Sequence, residues 1–255
     1  MYKITPPHSI IDNKMKRLSI LISSLFIAAA SAFAQPAYMD KTLSPRERAE
    51  DLVSRLTIEE KVPLLMFESP AVERLGIKKY NWWNEALHGV GRHGNATVFP
   101  MPISMAASFD TELLEEVFTV VSDEARIKWN QVPSNPEDNM QYQCLTYWTP
   151  NINIFRDPRW GRGMETYGED PYLTAQLGMA VVRGLQGPRE DGMVKTMACA
   201  KHYALHSGPE WARHSFDAVA SEKDLWETYL PAFKDLVQKS DVDQVMFAYN
   251  SMYGE

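Results

Sequence analysis

The chain has 255 residues, 45% of them hydrophobic, and a net charge of −7; that is enough apolar content for one large domain or part of a larger one. Acidic residues are spread along it and no Lys/Arg cluster stands out, which argues against a nucleic-acid partner and for a neutral substrate. Two cysteines, Cys144 and Cys199, are too few for a disulfide framework; two buried free thiols are expected, and whether they pair stays open.

The first segment reads as an address. Lys16 and Arg17 form a basic start, Leu18 to Ala30 is apolar, and Ala32-Phe33-Ala34 is an A-x-A cleavage site. Residues 1–34 are therefore expected to be a signal peptide cut after Ala34. Residues 1–14 carry no fold signal, as a start codon placed upstream of a true start at Met15 would leave them. A membrane anchor is the alternative, but the apolar run is short of the roughly 20 residues a bilayer requires. The expected destination is a bacterial periplasm or the outside of the cell, with no membrane span after cleavage.

Residues 35–255 are expected to form one domain. Ser44-Pro45-Arg46-Glu47 combines an N-cap, a first-turn proline and a capping-box glutamate, and Thr57 to Glu60 is a second capping box. Pro63 should bend or shorten the second helix. Further helices are expected from Asp110 to about Trp129, from Asp170-Pro171 to Gly184–Gly187, and from Ser221 to about Gln238. Strand-like runs lie at Tyr80–Trp83, Leu145–Phe155, Val194–Tyr203 and Val245–Tyr249, and Asn130–Gln141 reads as a loop. This alternation implies an α/β fold with a parallel sheet and crossover helices.

Three polar clusters fall at the C-terminal ends of these runs, where a parallel α/β barrel places its active site. They are Asn84 to Gly89 after a Trp pair, Arg156 to Arg162, and Lys201-His202. Each has a plain alternative. Glu85 suits a surface carboxylate, and Arg156 and Arg159 suit a loop tied through Asp157, Glu165 and Glu169. A buried Lys201 is harder to dismiss, because desolvating an ammonium without a partner costs several kcal/mol. Zinc at His202 and His206 is disfavoured, since that spacing needs a helix and a third ligand and Lys201-His202 reads as a strand end. No G-x-S-x-G elbow is present, and neither cysteine has a visible activating group. Carboxylate, arginine, lysine, histidine and tryptophan together suit a sugar, whose hydroxyls both donate and accept and whose ring has an apolar face. Trp82, Trp83, Trp148, Trp160 and Trp211 are available for stacking, with at least three of the five expected in the core.

The strings NEALHGVGR, TVFPMPISMAASFD, WTPNINIFRDPRWGRGMETYGEDPYLT, ACAKHYALHSGPEW and VMFAYN, in this order, resemble glycoside hydrolase family 3, closest to its β-xylosidase branch. The resemblance implies a (β/α)8 TIM-type barrel, incomplete at the C-terminus in this chain. It also implies a retaining, exo-acting hydrolase that releases xylose from xylo-oligosaccharides by means of two carboxylates and no cofactor or metal. β-Glucosidase, α-L-arabinofuranosidase and a non-catalytic sugar-binding protein are the alternatives. By position, Glu85, Arg162, Lys201 and His202 match the family residues that bind the sugar at the cleaved bond, and Tyr249 matches the tyrosine beside the nucleophile. The family nucleophile is an aspartate expected beyond Glu255, so no catalytic residue is assigned here, Asp217, Asp241 and Asp243 included. Glu85 stands where glucosidases of the family usually carry aspartate, and its extra length should fill the space of a glucose hydroxymethyl group. Ala204 to Gly208 does not match the loop of N-acetylglucosaminidases in the family.

Overall fold

The computed structural model describes residues 35–133, 140–190 and 192–255. The expected signal peptide and the centre of the loop expected at 130–141 lie outside the described residues. The chain divides into two units, residues 1–56 and 57–255. In the first, a 3-10 turn at Ala37–Met39 precedes α1, Pro45–Arg55. The Ser44 hydroxyl accepts from the Glu47 N–H while the Glu47 carboxylate accepts from the Ser44 N–H, the reciprocal cap expected from the sequence.

The second unit opens with the other capping box, Thr57 and Glu60, on α2, Ile58–Lys61. Pro63 ends that helix as anticipated and starts a 3-10 turn, Pro63–Leu65. β1, Glu68–Ser69, then pairs antiparallel with β2, Tyr80–Asn81. The strand expected at Tyr80–Trp83 is thus shorter and joins no parallel sheet. The Asn81 side-chain oxygen accepts from the Trp83 N–H at 2.9 Å, a local bond that competes with further pairing. A short helix the sequence did not announce, α3, Pro102–Ala106, begins at a proline after Met101. α4, Thr111–Gln131, is capped by Asp110, whose carboxylate accepts from the Leu113 N–H.

β3, Thr146–Tyr147, is all that pairs continuously in the expected strand 145–155. Pro150 has no N–H to offer a ladder, and beyond it only the Asn151–Lys201 bridge and the Ile152 N–H to Lys201 oxygen bond continue the pairing. α5, Pro171–Gln186, is capped by Asp170 and ends at Gly187, whose φ of 61° favours glycine. It leads to β4, Met197–Tyr203, flanked on either side by β3 and by β6, Gln244–Phe247, all parallel. Between β4 and β6 lie β5, Asp217–Ala218, and a helical segment in three parts. These are α6, Glu222–Asp224, a π-turn at Leu225–Tyr229, and α7, Pro231–Lys239. The single helix expected from Ser221 to Gln238 is therefore broken. Pro231 supplies no N–H to the preceding turn, and the Leu230 N–H reaches back instead to the Leu225 carbonyl. β7, Ser251–Met252, pairs in parallel with β5.

The core lies between α4, α5, α7 and the β3-β4-β6 sheet. Leu114, Phe118, Val121, Leu177, Val181, Leu185 and Leu236 are wholly buried there, with Ala198 and Ala200 of β4 beneath them. Each large side chain contributes roughly 1.5–3 kcal/mol on burial. No helix among the described residues is long and apolar enough to cross a membrane.

Candidate functional site

Lys201 sits near the end of central strand β4, only 3% exposed, with its Nζ 3.3 Å from Glu85 Oε2. Glu85 arrives on the loop after β2, and a wholly buried Asn84 anchors that loop to β3. The Asn84 amide donates to the Thr146 carbonyl at 2.7 Å and accepts from the Cys144 N–H at 2.8 Å, and its backbone oxygen accepts from the Trp148 N–H. Gly89 closes the loop at φ 130°, where a Cβ would lie 2.2 Å from the Thr97 oxygen. The other Glu85 oxygen accepts from Trp83 Nε1 at 3.1 Å, and the Trp83 ring stacks on Trp148 with centroids 5.0 Å apart. Both oxygens of the carboxylate are therefore held.

Arg162 is gripped from two sides. Its Nε and Nη2 donate to the two oxygens of Glu165 at 2.9 and 2.6 Å, while Nη1 lies 3.1 Å from His206 Nε2 and 3.4 Å from His202 Nε2. The Asn151 amide also donates to Glu165. Burial works against the Arg162 charge, yet Glu165 beside it raises its pKa above the ordinary value. Burial likewise pushes Glu165 up, but the Arg162 fork, with Lys201 and Asn151, brings its carboxyl below the usual range. For His202, burial and then the neighbouring Lys201 hold the imidazole far below its normal pKa. His206 is lowered to about 4, first by burial and then by Arg162, against the bond from Asn250.

Glu85, Arg162, Glu165 and Lys201 face one cavity of about 320 Å³, walled by Trp83, His88, Arg92 and Tyr142. Three of the five expected site residues, Glu85, Arg162 and Lys201, thus converge. His202 does not line the cavity; it is 3% exposed and lies behind Arg162. Tyr249, 59% exposed, packs its ring on His214 with centroids 4.8 Å apart. Expecting three of five tryptophans in the core was wrong. Only Trp160 is buried, Trp82, Trp83 and Trp148 are half-buried, and Trp211 is 90% exposed. Trp83 and Trp148 satisfy each other by stacking while leaving a face to the surroundings.

The loop-tying alternative describes Arg159, which pairs with Asp157, whereas Arg156 instead donates to the Tyr229 hydroxyl. These residues, with Trp160, Glu210 and Trp211, border a separate and larger cavity of about 660 Å³. Asp241 and Asp243 pair with Arg189, and Asp217 accepts from the Gly254 N–H. Both cysteines are free and buried, and burial raises both thiol pKa values, that of Cys199 to about 12. Sequence reasoning missed Glu165, Asn151, His206 and Asn250 as parts of the site. The Arg162-x-x-Glu165 spacing was the one local signal for any of them.

The model of the Glycosyl hydrolase family 3 N terminal domain matches residues 70–255. The xylan 1,4-beta-xylosidase of Xylanibacter ruminicola is 56% identical over 226 residues, covering 88% of this chain and 26% of that protein. A beta-xylosidase/alpha-L-arabinofuranosidase of Medicago sativa subsp. varia is 45% identical over 86% of this chain and 29% of its own length. Among solved structures, a GH3 exo-beta-xylosidase (XlnD) in complex with a xylobiose aziridine activity-based probe superposes with a TM-score of 0.74 at 36% identity, over 86% of this chain and 29% of that one. Beta-glucosidase 3B from Thermotoga neapolitana in complex with alpha-D-glucose gives 0.67 at 29% identity, over 82% and 30%. The chain spans about a quarter to a third of the length of these relatives. Its β3-α5-β4-α7-β6 order is a βαβαβ portion of the (β/α)8-type barrel of such domains. With the ordered motifs and the parallel sheet in agreement, the chain belongs to glycosyl hydrolase family 3.

Proposed function

We propose that this chain supplies the sugar-binding wall of a retaining, exo-acting β-xylosidase that releases xylose from xylo-oligosaccharides. Glu85, Arg162 and Lys201 contact the sugar, His202 supports Arg162, and Tyr249 stands beside the nucleophilic aspartate. The observation that carries the reading is the buried Lys201–Glu85 pair facing a cavity shared with Arg162. At about 320 Å³ the cavity is at the small end of ligand sites, which suits a single sugar ring. Lys201 and Arg162 only donate and ionised Glu85 only accepts, so together they orient hydroxyls that do both. Trp83 offers an apolar wall next to them.

Preference for xylose over glucose is assigned to Glu85. Trp83 Nε1 on one oxygen and Lys201 on the other leave the carboxylate little freedom to move aside for a hydroxymethyl group. Discrimination of this kind is typically about 1–3 kcal/mol. The basic and apolar run before Ala34 supports export of the protein to the periplasm or beyond.

Calorimetric titration of the purified chain with xylose, glucose and arabinose tests the reading. Xylose is expected to bind best, with Glu85→Asp shifting the preference toward glucose by about tenfold. No detectable xylose binding, or an unchanged preference, overturns it.

A further inference from the structure

We infer that His206, held in place by Asn250, is a positioning residue that aims Arg162 at the sugar. The amide groups decide the tautomers. Asn250 Nδ2 donates to the Leu205 and Ser251 carbonyls, so its Oδ1 is the acceptor that faces His206 Nδ1 at 3.1 Å. His206 therefore carries its proton on Nδ1 and turns the Nε2 lone pair to Arg162. Asn153 does the same for His202. Its Nδ2 donates to the His202 and Ala204 carbonyls, and its Oδ1 accepts from the His202 N–H and Nδ1. Two neutral imidazoles, with ring centroids 4.2 Å apart, thus present lone pairs to one guanidinium nitrogen.

An arginine has five N–H donors in a rigid fork. Glu165 takes two, one from Nε and one from Nη2. His206, at 3.1 Å, and His202, at 3.4 Å, take the two from Nη1. The second Nη2 hydrogen is left, and with the plane of the fork fixed on both sides its direction is fixed as well. Asn250 directly follows Tyr249, so this chain of bonds ties the segment after β6 to Arg162.

The inference rests on the sugar-site reading, and its test has one arm that does not. In the 15N-labelled chain, long-range imidazole correlations should show Nδ1–H tautomers for His202 and His206. Arg162→Gln should raise the His206 titration midpoint by about one pH unit. In the second arm, xylose affinity should fall about tenfold in His206→Leu and Asn250→Leu. His206→Gln, whose amide oxygen replaces the Nε2 acceptor, should stay within about threefold of wild type, with melting temperatures recorded for all variants. An Nε2–H tautomer at His206, or equal affinities in the Leu and Gln variants, overturns the inference. If wild type binds no xylose, the sugar-site reading fails and the aim of Arg162 at a sugar with it, while the imidazole arm still decides whether His206 and Asn250 hold Arg162.

Discussion

At Lys201 the sequence and the structure meet most directly. A lysine near the end of a buried strand has to be compensated, and Glu85 at 3.3 Å, backed by Glu165, compensates it. The same logic runs in the opposite direction for the histidines. With cations close by and little water, they stay neutral, and this couples folding to pH. His206 titrates at about 4 in the fold against an ordinary value of 6.5. Between those values the unfolded chain binds the proton and the folded chain does not, so stability rises with pH across that window. The His206 contribution is complete above about pH 6.5 and is lost as the pH falls toward 4, by at most about 3 kcal/mol. Urea unfolding at a series of pH values should therefore show wild type losing more stability than His206→Gln on acidification. Parallel curves would mean that His206 is not held neutral. His202, held lower still, acts with the same sign.

Among the elements, the contact between α4 and α5 is governed by one missing side chain. A Cβ at Gly184 would lie 2.5 Å from the Glu115 backbone oxygen and 2.8 Å from Phe118 Cβ, and the Gly184 carbonyl accepts from the buried Ser122 hydroxyl at 2.9 Å. Alanine gains about 1 kcal/mol of helix propensity over glycine, but here it meets backbone that cannot step aside, at a cost of up to about 3 kcal/mol. Gly184→Ala should therefore destabilise the chain by about 1–2 kcal/mol in denaturant unfolding. A stabilised variant would show that the helices have room to separate. Helix starts were legible because each cap is a bond between residues three positions apart, as at Ser44, Thr57, Asp110, Asp170 and Ser221. Strand extents were not legible, because they depend on partners. Apolar patterning from Leu145 to Phe155 could not show that the regular ladder is confined to Thr146–Tyr147, nor that β2 turns to β1 instead of the parallel sheet.

For the molecule as a whole, the open edge of the parallel sheet is the conspicuous feature. Among the described residues β6 pairs with β4 on one side only, and Val245 and Phe247 on it are 39% and 76% exposed. An apolar strand with unpaired backbone groups is a template for another strand. The purified chain should therefore self-associate, and light scattering after size exclusion should show dimers or larger species that Phe247→Lys diminishes. A strictly monomeric wild type would show that this edge is protected in solution. Capped helix starts, the α/β alternation, the family and the trio Glu85, Arg162 and Lys201 were present in local pattern and ordered motifs, since caps, periodicity and strand-end polar clusters are short-range. The Asn84 anchor to β3, the grip of Glu165 on Arg162 from the side of Asn151, and the two lone pairs turned on Arg162 from His202 and His206 were decided only by folding. The Asn84 and histidine bonds join residues forty or more positions apart, and at that distance only the packing of β3, β4 and the segment after β6 selects the partners.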